Sequence, residues 1–460
     1  PIALFHSGRG KRERLSDWLA VKSGEVKIII GTRSAIFAPL RSPGAIVVDE
    51  EHDNSFKQYE GFRYSARDLA VLRGREEEIP VILGSATPSF ESLHNAECGK
   101  YQKLTLSKRT GGGELPQISL IDVRSRKMEH LLSSPLIDKM REHIASSGQV
   151  LLFLNRRGYA PTLFCRGCGW SSTCPRCEIH YTFHRKKNRL ICHHCGGKRP
   201  RPHNCPECGS SELTNIGAGT ERIEEALQSI FPEQSVTRID RDTTRKKGAM
   251  DKKLEEIHTG EYQILLGTQM LAKGHHFPKV TLVAILDADG GLFGSDFRAT
   301  EQMGQLIIQV AGRAGRESVK GEVAIQTHNP DHPLLLTLLQ KGYPDFAKQA
   351  LAERKLATLP PYSYLTMIRA ESSKPQAAIQ FLNQIRKQAE QHHIGQVEIL
   401  GPAPSPMEKR AGRYRAQLLL QSTHRRPLHH LLALLVPEIE SLKRSHTVRW
   451  SVDVDPMDMF

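Results

Sequence analysis

The sequence lacks several features that would assign it to other classes of protein. Its longest apolar run, Leu431–Val436, is far shorter than the roughly 20 residues of a membrane-spanning helix. It has no signal-peptide pattern, and only Cys98 lies outside one cysteine-rich segment, so a secreted disulfide framework is excluded. It also has no initiator methionine. Because it begins at Pro1, inside an apolar run, we expect a fragment of a longer protein.

The composition is typical of a protein with several packed domains. Of its 460 residues, 39% are hydrophobic and 25% are charged, and a chain of this length usually forms roughly two to four domains. The net charge of +14 and the pI of about 9.4 favour a polyanionic partner, usually nucleic acid. A simple surplus of surface lysine is the alternative, and charge alone does not decide between the two.

The cysteine-rich segment contains four CxxC pairs. Such clustering in a chain without a secretory signal indicates metal ligands in a reducing, cytosolic compartment. The thiolates suffice for two tetrahedral zinc sites, and a segment this short has too few apolar residues for a core, so we predict structural zinc. The pairs are Cys165/Cys168, Cys174/Cys177, Cys192/Cys195 and Cys205/Cys208.

The sequence between the second and third pairs predicts which pairs share a metal. Ile179–His184 alternates as a strand does, Arg185–Asn188 is typical of a turn, and Arg189–Ile191 returns as a second strand. This hairpin would bring the second pair against the third, which leaves the first pair for the fourth. We therefore expect nested rather than sequential zinc sites.

Short apolar runs alternate with helical stretches in two regions, which is typical of an α/β fold with a parallel sheet. The first region ends near Arg109, before the linker-like run Gly111–Gly113. The second is interrupted by the cysteine segment, at about Ala160–Ile216. The predicted strands are Val26–Ile30, Ala45–Val48, Pro80–Leu83, Val150–Leu154, Ile264–Leu266, Leu282–Leu286 and Val323–Gln326.

From about Pro330 the pattern changes to that of a small α+β domain. Two helical stretches, Pro375–His392 and Leu428–Leu442, alternate with strand-like segments in the order βαββαβ. The predicted strands are Tyr364–Ala370, Val397–Leu400, Arg415–Gln421 and Val448–Val454.

Two acids, Asp49 and Glu50, directly follow the predicted strand Ala45–Val48. Open α/β sheets bind ligands at the carboxyl ends of their parallel strands. There the first acid can hold Mg²⁺ against nucleotide phosphates, and the second can orient or deprotonate the attacking water. An ordinary acidic turn is the alternative for this motif taken alone.

Two further segments carry side chains suited to nucleotide hydrolysis. Gln309–Arg316 predicts the start of a helix with Arg313 and Arg316 on one face, where guanidinium groups suit a transferring phosphoryl group. Ser85–Thr87, at a strand end, could link the nucleotide state to a moving loop. The alternatives are a solvated basic face and an ordinary turn.

An aromatic stretch follows the acids. Aromatic rings stack on unpaired bases, and interleaved cations meet phosphates. Buried core aromatics are an equally good explanation on pattern alone. The aromatic residues are Phe56, Tyr59, Phe62 and Tyr64, and the cations are Lys57, Arg63 and Arg67.

In order and spacing, these segments resemble motifs of superfamily 2 helicases. Asp49–His52 resembles motif II, Ser85–Thr87 resembles motif III, and Gln309–Arg316 resembles motif VI. Gly31–Ser34 resembles a strand-binding motif of the first lobe, and Gly267–Met270 resembles motif V.

The phosphate-binding loop of these helicases has no counterpart in the sequence, because no GxxxxGK[ST] pattern occurs in it. In the superfamily this loop lies upstream of motif Ia, which Ile2–Gly8 resembles. We therefore expect the chain to begin after the loop and to have little ATPase activity by itself.

Together with the cysteine segment and the βαββαβ tail, the motifs resemble the bacterial primosomal replication-restart helicases over all of Pro1–Phe460. The resemblance implies two RecA-like lobes, the first incomplete, a zinc insert in lobe two with two all-cysteine sites, and a C-terminal α+β domain. It implies ATP- and Mg²⁺-dependent 3′→5′ unwinding, remodelling of stalled forks and primosome assembly for replication restart in the bacterial cytoplasm. The implied partners are forked and single-stranded DNA, single-stranded DNA-binding protein and other primosome proteins, without a membrane.

The same resemblance implies domain boundaries and residue roles. Residues 1–110 form lobe one without Walker A, 111–159 and 217–329 form lobe two, 160–216 form the zinc insert and 330–460 form the C-terminal domain. Asp49 holds Mg²⁺, Glu50 activates water and His52 links the nucleotide state to the DNA strand. The γ-phosphate is contacted by Arg313 and Arg316, with Gln309 beside them. The DNA backbone is gripped by Thr32, Arg33 and Thr268.

Two other functions are compatible with these residues. One is a non-catalytic, zinc-stabilised DNA-binding or assembly module, and the other is a helicase of another repair pathway or one acting on RNA. A GxxxxGK[ST] loop upstream of Pro1 would distinguish a motor from the first alternative. The zinc pattern and the tail favour replication restart by analogy.

Overall fold

The computed structural model comprises two compact units. One contains Pro1–Lys103 and Asp453–Met459, and the other contains Leu104–Val452. Several residues named above lie outside the described part of the chain: Arg109, Gly111–Gly113, Ala160, Cys177, Ile179, residues 185–187, Cys195, residues 268–270, Arg316 and Phe460. The residues that the structure describes are 1–6, 8–106, 116–124, 128–154, 162–165, 168, 170–176, 181–184, 188–192, 197–216, 220–239, 249–267, 277–286, 288–293, 296–314, 321–392, 394–442 and 448–459.

The first unit is built from parallel strand pairs and helices, as the sequence predicts. Its elements are β1 (Ile2–Phe5), α1 (Lys11–Ser23), β2 (Ile28–Gly31), β3 (Ile46–Asp49), α2 (Ala66–Glu76), β4 (Val81–Gly84) and α3 (Phe90–Glu97), with 3-10 turns at Arg33–Phe37 and Asn54–Phe56. β1 pairs with β2, and β3 pairs with β4. Gly24 ends α1 at a φ of 88°, a left-handed conformation that glycine adopts without strain.

The second unit contains most of the chain. Up to Thr327 its elements are β5 (Gln117–Asp122), β6 (Met128–Glu129), β7 (Leu132–Ser133), α4 (Ser134–Ala145), β8 (Gln149–Phe153), β9 (Thr162–Cys165), β10 (Thr182–His184), β11 (Arg189–Ile191), β12 (Lys198–Pro200), β13 (Leu213–Ile216), α5 (Thr220–Ile230), β14 (Val236–Ile239), α6 (Ala249–Thr259), β15 (Ile264–Gly267), β16 (Val280–Ile285), α7 (Asp289–Leu292), α8 (Ala299–Ala311) and β17 (Glu322–Thr327).

A six-stranded parallel sheet forms the centre of this unit. Its strand order is β14-β15-β8-β16-β17-β5. Every residue of β8 is buried, because helices cover both faces of a parallel sheet and its central strands are apolar throughout. The predicted α/β class and its parallel strands are confirmed.

The cysteine segment begins and ends in one antiparallel strand pair. β9 pairs with β13, with Thr162 opposite Ile216. The predicted hairpin is present as β10 and β11, and β12 adds a third strand. That strand was not predicted, because its three residues are exposed and lack an apolar alternation.

The C-terminal part has the predicted βαββαβ order. After the helices α9 (Pro333–Lys341) and α10 (Tyr343–Leu356) come β18 (Tyr364–Ser372), α11 (Ala377–Gln391), β19 (Glu398–Arg410), β20 (Arg413–Ser422), α12 (Arg425–Ser441) and β21 (Val448–Val454). The strand order β19-β20-β18-β21 gives a split βαβ sheet. Among the described helices, none is both long and apolar enough to span a membrane.

Asp289 connects the chain after β16 to the end of β17. Its carboxylate accepts hydrogen bonds from the Thr327 hydroxyl, the His328 backbone N–H at 2.8 Å and the Asn329 amide at 3.3 Å. Desolvation alone would raise the pKa of Asp289, but these hydrogen bonds outweigh it and lower the pKa below its usual value.

We expect Asp289→Asn to lower the urea midpoint of unfolding at pH 7, because the amide cannot accept all of these hydrogen bonds. A lowered folded-state pKa contributes stability above the unfolded pKa of about 3.9, and this stability is lost as the pH falls through the folded value. Urea unfolding from pH 7 to about pH 3 should therefore show the two proteins converging. Exposed Glu261, changed to Gln, serves as the control. An equal difference at every pH would contradict the expectation.

Candidate hydrolysis site and zinc centre

The two predicted acids stand at the carboxyl end of β3. Asp49 is its last residue and lies opposite Gly84, the last residue of β4. Both carboxylates are exposed, and Asp49 Oδ1 accepts a hydrogen bond of 3.0 Å from the backbone N–H of Glu50. Glu50 has a φ of 49°, an uncommon left-handed conformation for a non-glycine residue and one that often marks functional sites.

This strand end fits one protein ligand of a nucleotide-bound Mg²⁺. Carboxylate oxygens are the ligands that Mg²⁺ prefers, and Gly84 leaves room, since a Cβ there would lie 3.7 Å from Asp49 Oδ1. The sequence contains no GxxxxGK[ST] loop to hold the phosphates. That this strand end is the hydrolysis side of an ATP site stays a prediction.

His52 joins the two motifs that follow β3 and β4. Its Nδ1 lies 2.7 Å from Ser85 Oγ, which also accepts a 2.9 Å hydrogen bond from the backbone N–H of Thr87. The carboxylate of Glu50 lies 3.6 Å from the same His52 nitrogen. The imidazole is buried. A displacement at the end of β3 or of β4 would therefore change the contacts that His52 makes at the other strand end. The coupling role of His52 stays a prediction.

Glu51, between the predicted catalytic acid and His52, is a buried structural residue that the sequence did not reveal. Its carboxylate accepts hydrogen bonds from the Ser89 backbone N–H at 2.6 Å and the Ser92 hydroxyl at 2.9 Å, both at the start of α3. Arg67 Nη1 lies 3.3 Å away. Desolvation lowers the pKa of Arg67, but nearby carboxylates outweigh it and raise the pKa. Glu51 therefore anchors α3 to the end of β3.

The aromatic stretch forms an exposed loop. Phe62 is 76% exposed and Tyr59 is 38% exposed, which suits contact with a ligand better than a place in a core. Phe62 stacks on Tyr64 with ring centroids 5.8 Å apart, and Tyr64 meets Phe37 edge-on at 5.0 Å. Phe56 is half-buried and ends the 3-10 turn. Their contact with DNA stays a prediction.

The strand-binding motif also touches this loop. Arg33 Nη1 donates hydrogen bonds to the backbone carbonyls of Ser55 at 3.2 Å and Lys57 at 2.7 Å. The Thr32 backbone N–H donates to the carbonyl of Phe5 at 2.9 Å. Thr32 itself is exposed. A shift of the Arg33 side chain would therefore disturb the aromatic loop through these hydrogen bonds.

Two of the three interleaved cations do not face solvent, which corrects the expectation that they meet phosphates. Arg67 pairs with Glu51. Lys57 is buried, and its Nζ lies 3.0 Å from the buried carboxylate of Asp453 and donates to the carbonyls of Val454 at 2.6 Å and Asp455 at 3.2 Å. Lys57 therefore ties the aromatic loop to residues near the end of the chain.

The predicted helix start at Gln309 is wrong, because α8 ends there. The helix runs from Ala299 to Ala311 and closes with backbone hydrogen bonds from Gly312 to Ile308 and from Arg313 to Val310. Arg313 follows in a turn, so the argument that it shares a helix face with the second arginine does not apply. Gln309 lies in the last turn of α8 and is half-buried.

The first and fourth CxxC pairs come together as expected. The sulfur atoms of Cys165, Cys168, Cys205 and Cys208 all lie within 4.8 Å of one another, and two pairs of them are 3.6 Å apart. A tetrahedron with Zn–S bonds of about 2.3 Å has sulfur atoms about 3.8 Å apart, whereas a disulfide needs about 2.0 Å. The set therefore fits one zinc ion.

The pKa values of these thiols shift in opposite directions. Backbone hydrogen bonds lower the pKa values of Cys168 and Cys208, but desolvation and contacts with the neighbouring thiols outweigh them and raise both. Desolvation raises the pKa of Cys205, but the backbone N–H groups of Cys208 and Glu207 outweigh it and lower the pKa to about 7. Thiolates are the form that binds zinc. A small apolar cluster that includes Leu163, Tyr181 and Leu190 surrounds these thiols together with buried Cys174 and Cys192. The second predicted site has its other two cysteines outside the described residues.

Known proteins resemble the chain over its whole length. It is 48% identical over 458 residues to the replication restart protein PriA of Haemophilus influenzae, covering 100% of this chain and 62% of that protein. It is 39% identical to the Bacillus subtilis protein of that name, covering 100% of this chain and 57% of that protein. For the Rickettsia conorii protein the identity is 38%, with 99% of this chain and 70% of that protein covered. The chain belongs to the replication restart protein PriA family.

Three domain families match parts of the chain. Residues 174–200 match the PriA DNA helicase Cys-rich region domain, 215–318 the helicase conserved C-terminal domain, and 355–457 the primosomal protein N C-terminal domain. The first match and the thiol cluster together indicate that the segment binds zinc. The chain spans about 60% of the length of the Haemophilus and Bacillus relatives.

Paired cysteine substitutions test the nested zinc arrangement. We expect Cys165→Ser with Cys205→Ser to leave one of two zinc ions, because both changes fall in one site. Cys165→Ser with Cys174→Ser should leave none, because the changes fall in both sites. Native mass spectrometry with metal analysis counts the zinc, and Cys98→Ser should retain both ions. Sequential pairing would exchange the results of the two double variants.

Lys57→Met should lower the stability of the first unit by about 3 kcal/mol, because it leaves the buried carboxylate of Asp453 without its counter-charge. Hydrogen exchange of peptides spanning the aromatic loop reports the loss, and exposed Lys27, changed to Met, is the matched control. Adding Asp453→Asn should recover most of the loss. Simple addition of the two effects would show that the pair does not act as a unit.

Proposed function

We propose that this chain supplies the hydrolysis acids, the zinc segment and the C-terminal domain of an ATP-dependent DNA helicase. In this proposal the protein moves 3′→5′, remodels stalled replication forks and starts primosome assembly for replication restart. The single observation that carries the proposal is the pair of exposed acids at the end of β3, joined through His52 to Ser85. Membership of the PriA family and the helicase C-terminal domain match support it.

The two acids have separate roles in hydrolysis. Asp49 holds Mg²⁺, an ion that neutralises phosphate charge when bound. Glu50 orients the attacking water and accepts its proton. The left-handed backbone at Glu50 turns its carboxylate out of the strand, where it remains exposed to solvent. Arg313, after the end of α8, supplies positive charge to the transferring phosphoryl group, with Gln309 and Arg316 assisting it.

The aromatic loop is proposed to receive unpaired bases of the DNA. Exposed Phe62 and Tyr59 offer rings for stacking, which is worth about 1 to 3 kcal/mol per base. The hydrogen bonds from Arg33 and the ion pair of Lys57 hold the loop in place. Base stacking would then alter the segment that follows His52 and so report DNA to the acids. Thr32 and Thr268 are proposed to contact the DNA backbone.

The remaining elements of the proposal follow from the family resemblance. Two zinc ions occupy nested sites, each with four cysteine ligands, and the domain boundaries are 1–110, 111–159, 160–216, 217–329 and 330–460. The zinc segment and the C-terminal domain would contact single-stranded DNA-binding protein and other primosome proteins. The reduced thiols of the zinc sites suit the bacterial cytoplasm.

Glu50→Gln in the full-length protein tests the hydrolysis site. We expect ATP to bind with unchanged affinity and kcat for DNA-stimulated hydrolysis to fall at least about a hundredfold, because the amide cannot accept the proton. Steady-state kinetics and nucleotide titration measure the two effects. Exposed Glu25, changed to Gln, should leave both unchanged.

Glu51→Gln provides a contrast at the neighbouring position. It should lower the melting temperature, because Glu51 is buried among Arg67, Ser89 and Ser92.

Retained turnover in Glu50→Gln would remove Glu50 from the mechanism. Absence of DNA-stimulated turnover in the unmodified full-length protein would refute the helicase proposal itself.

A further inference from the structure

Helix α8 carries Gln309 in its last turn and Arg313 just beyond it, and its first turn is held by a buried ion pair. Glu301, in the first turn of α8, and Arg354, in the last turn of α10, are 4% and 5% exposed. Arg354 Nη2 lies 2.8 Å from Glu301 Oε2. Removing one partner of a pair this deeply buried costs a large amount of free energy, because the charge of the other partner stays buried.

The same guanidinium joins three segments of the second unit. Arg354 donates to the backbone carbonyl of Phe297 at 3.3 Å, just before α8, and to that of Pro360 at 3.1 Å. Pro360 lies between α10 and β18, the first strand of the C-terminal sheet. Arg354 therefore links the helix that ends near Arg313 to the chain entering the C-terminal sheet.

Further contacts along the same face of α8 fix the register of α8 against α10. Gln305 Nε2 lies 3.5 Å from the hydroxyl of Tyr343 and 3.4 Å from Glu301 Oε1. Gly304 lies so close to α10 that an added Cβ would come within 2.3 Å of the Phe346 ring. Residues 301, 304 and 305 share one helix face by their spacing. The ion pair and the close approach leave no room for α8 to slide along α10.

Buried ion pairs add little net stability compared with apolar residues of similar volume, but they tolerate only one geometry. Here that geometry determines where the end of α8 lies relative to the start of the C-terminal sheet. We infer that Glu301 and Arg354 are positioning residues, which make α8 and α10 one body and transmit movement of the C-terminal sheet to Arg313. The inference rests on the proposed role of Arg313 in ATP hydrolysis.

Kinetics of the full-length protein test the inference. Glu301→Gln should lower kcat for DNA-stimulated ATP hydrolysis about tenfold, within the range known for coupling networks, and leave the KM for ATP within about twofold. Arg354→Lys should behave alike, because a single ammonium nitrogen cannot occupy the positions of both guanidinium nitrogens, Nη1 and Nη2, that contact these acceptors. The double variant Glu301→Gln with Arg354→Met should be no slower than either single variant. Glu353→Gln, exposed on α10, is the matched control.

Hydrogen exchange of the 460-residue chain supplies a readout that does not depend on activity. The amides of Gly312 and Arg313 should exchange faster in Glu301→Gln, while peptides from β8 and β16 keep their protection. If Glu301→Gln fails to fold, the double variant, which removes both charges of the pair, replaces it in both experiments. Buried Arg298, whose Nη1 lies 4.0 Å from Glu301 Oε2, is unchanged in both variants.

The possible outcomes separate this inference from the proposed function. An active full-length protein whose Glu301→Gln variant keeps normal kcat and normal exchange at Gly312 would overturn the inference. A fall in kcat at unchanged KM that only matches the fall in the folded fraction, measured by circular dichroism at the assay temperature, would also overturn it, because it would indicate general loss of folded protein. If the unmodified protein shows no DNA-stimulated turnover, the proposed function fails, and exchange at Gly312 alone then decides whether the pair positions the end of α8.

Discussion

A charge removed from water needs an opposite charge and enough hydrogen-bond partners, and this requirement governs how distant segments of the chain are held together. Glu51 is matched by Arg67 at the end of β3, and Lys57 is matched by Asp453 beneath the aromatic loop. A third buried pair joins α8 to α10. Each pair lies within one compact unit and next to a segment with a proposed role in hydrolysis or DNA contact. In the proposed function, these pairs would hold the segments next to the acids, the aromatic loop and the end of α8 in fixed positions.

Much of the fold could be predicted from apolar periodicity. The buried runs of the parallel sheet fell close to their observed bounds, since a strand covered on both faces must be apolar along its length. The βαββαβ order was equally visible, because Leu428, Leu431, Leu435 and Ile439 recur with helical spacing and all are buried. The four outer cysteines were identified by spacing alone, because zinc demands a complete set of thiolates.

Other features could not be predicted because they depend on tertiary contacts. In the sequence, Lys57 and Arg67 look the same as solvated cations. Only the fold shows that each is shielded from solvent and pairs with a carboxylate from another segment. Gln309, Ala311 and Arg313 are good helix formers but the residues between them are not, so the sequence could not show on which side of this segment the helix lies. The end of α8 is visible only in the backbone hydrogen bond from Arg313 to Val310, which spans three residues instead of the four of an α-helix.

The paired strands β9 and β13 have a consequence for how the zinc segment relates to its host sheet. Because Thr162 stands opposite Ile216, the segment begins and ends at one residue pair of an antiparallel ladder, with the two Cα atoms about 5 Å apart. A tight turn could bridge that gap without moving any strand of the parallel sheet. The zinc-binding segment is therefore a cassette in the architectural sense, which could be gained, lost or exchanged as one piece while the fold that carries it keeps its strand order.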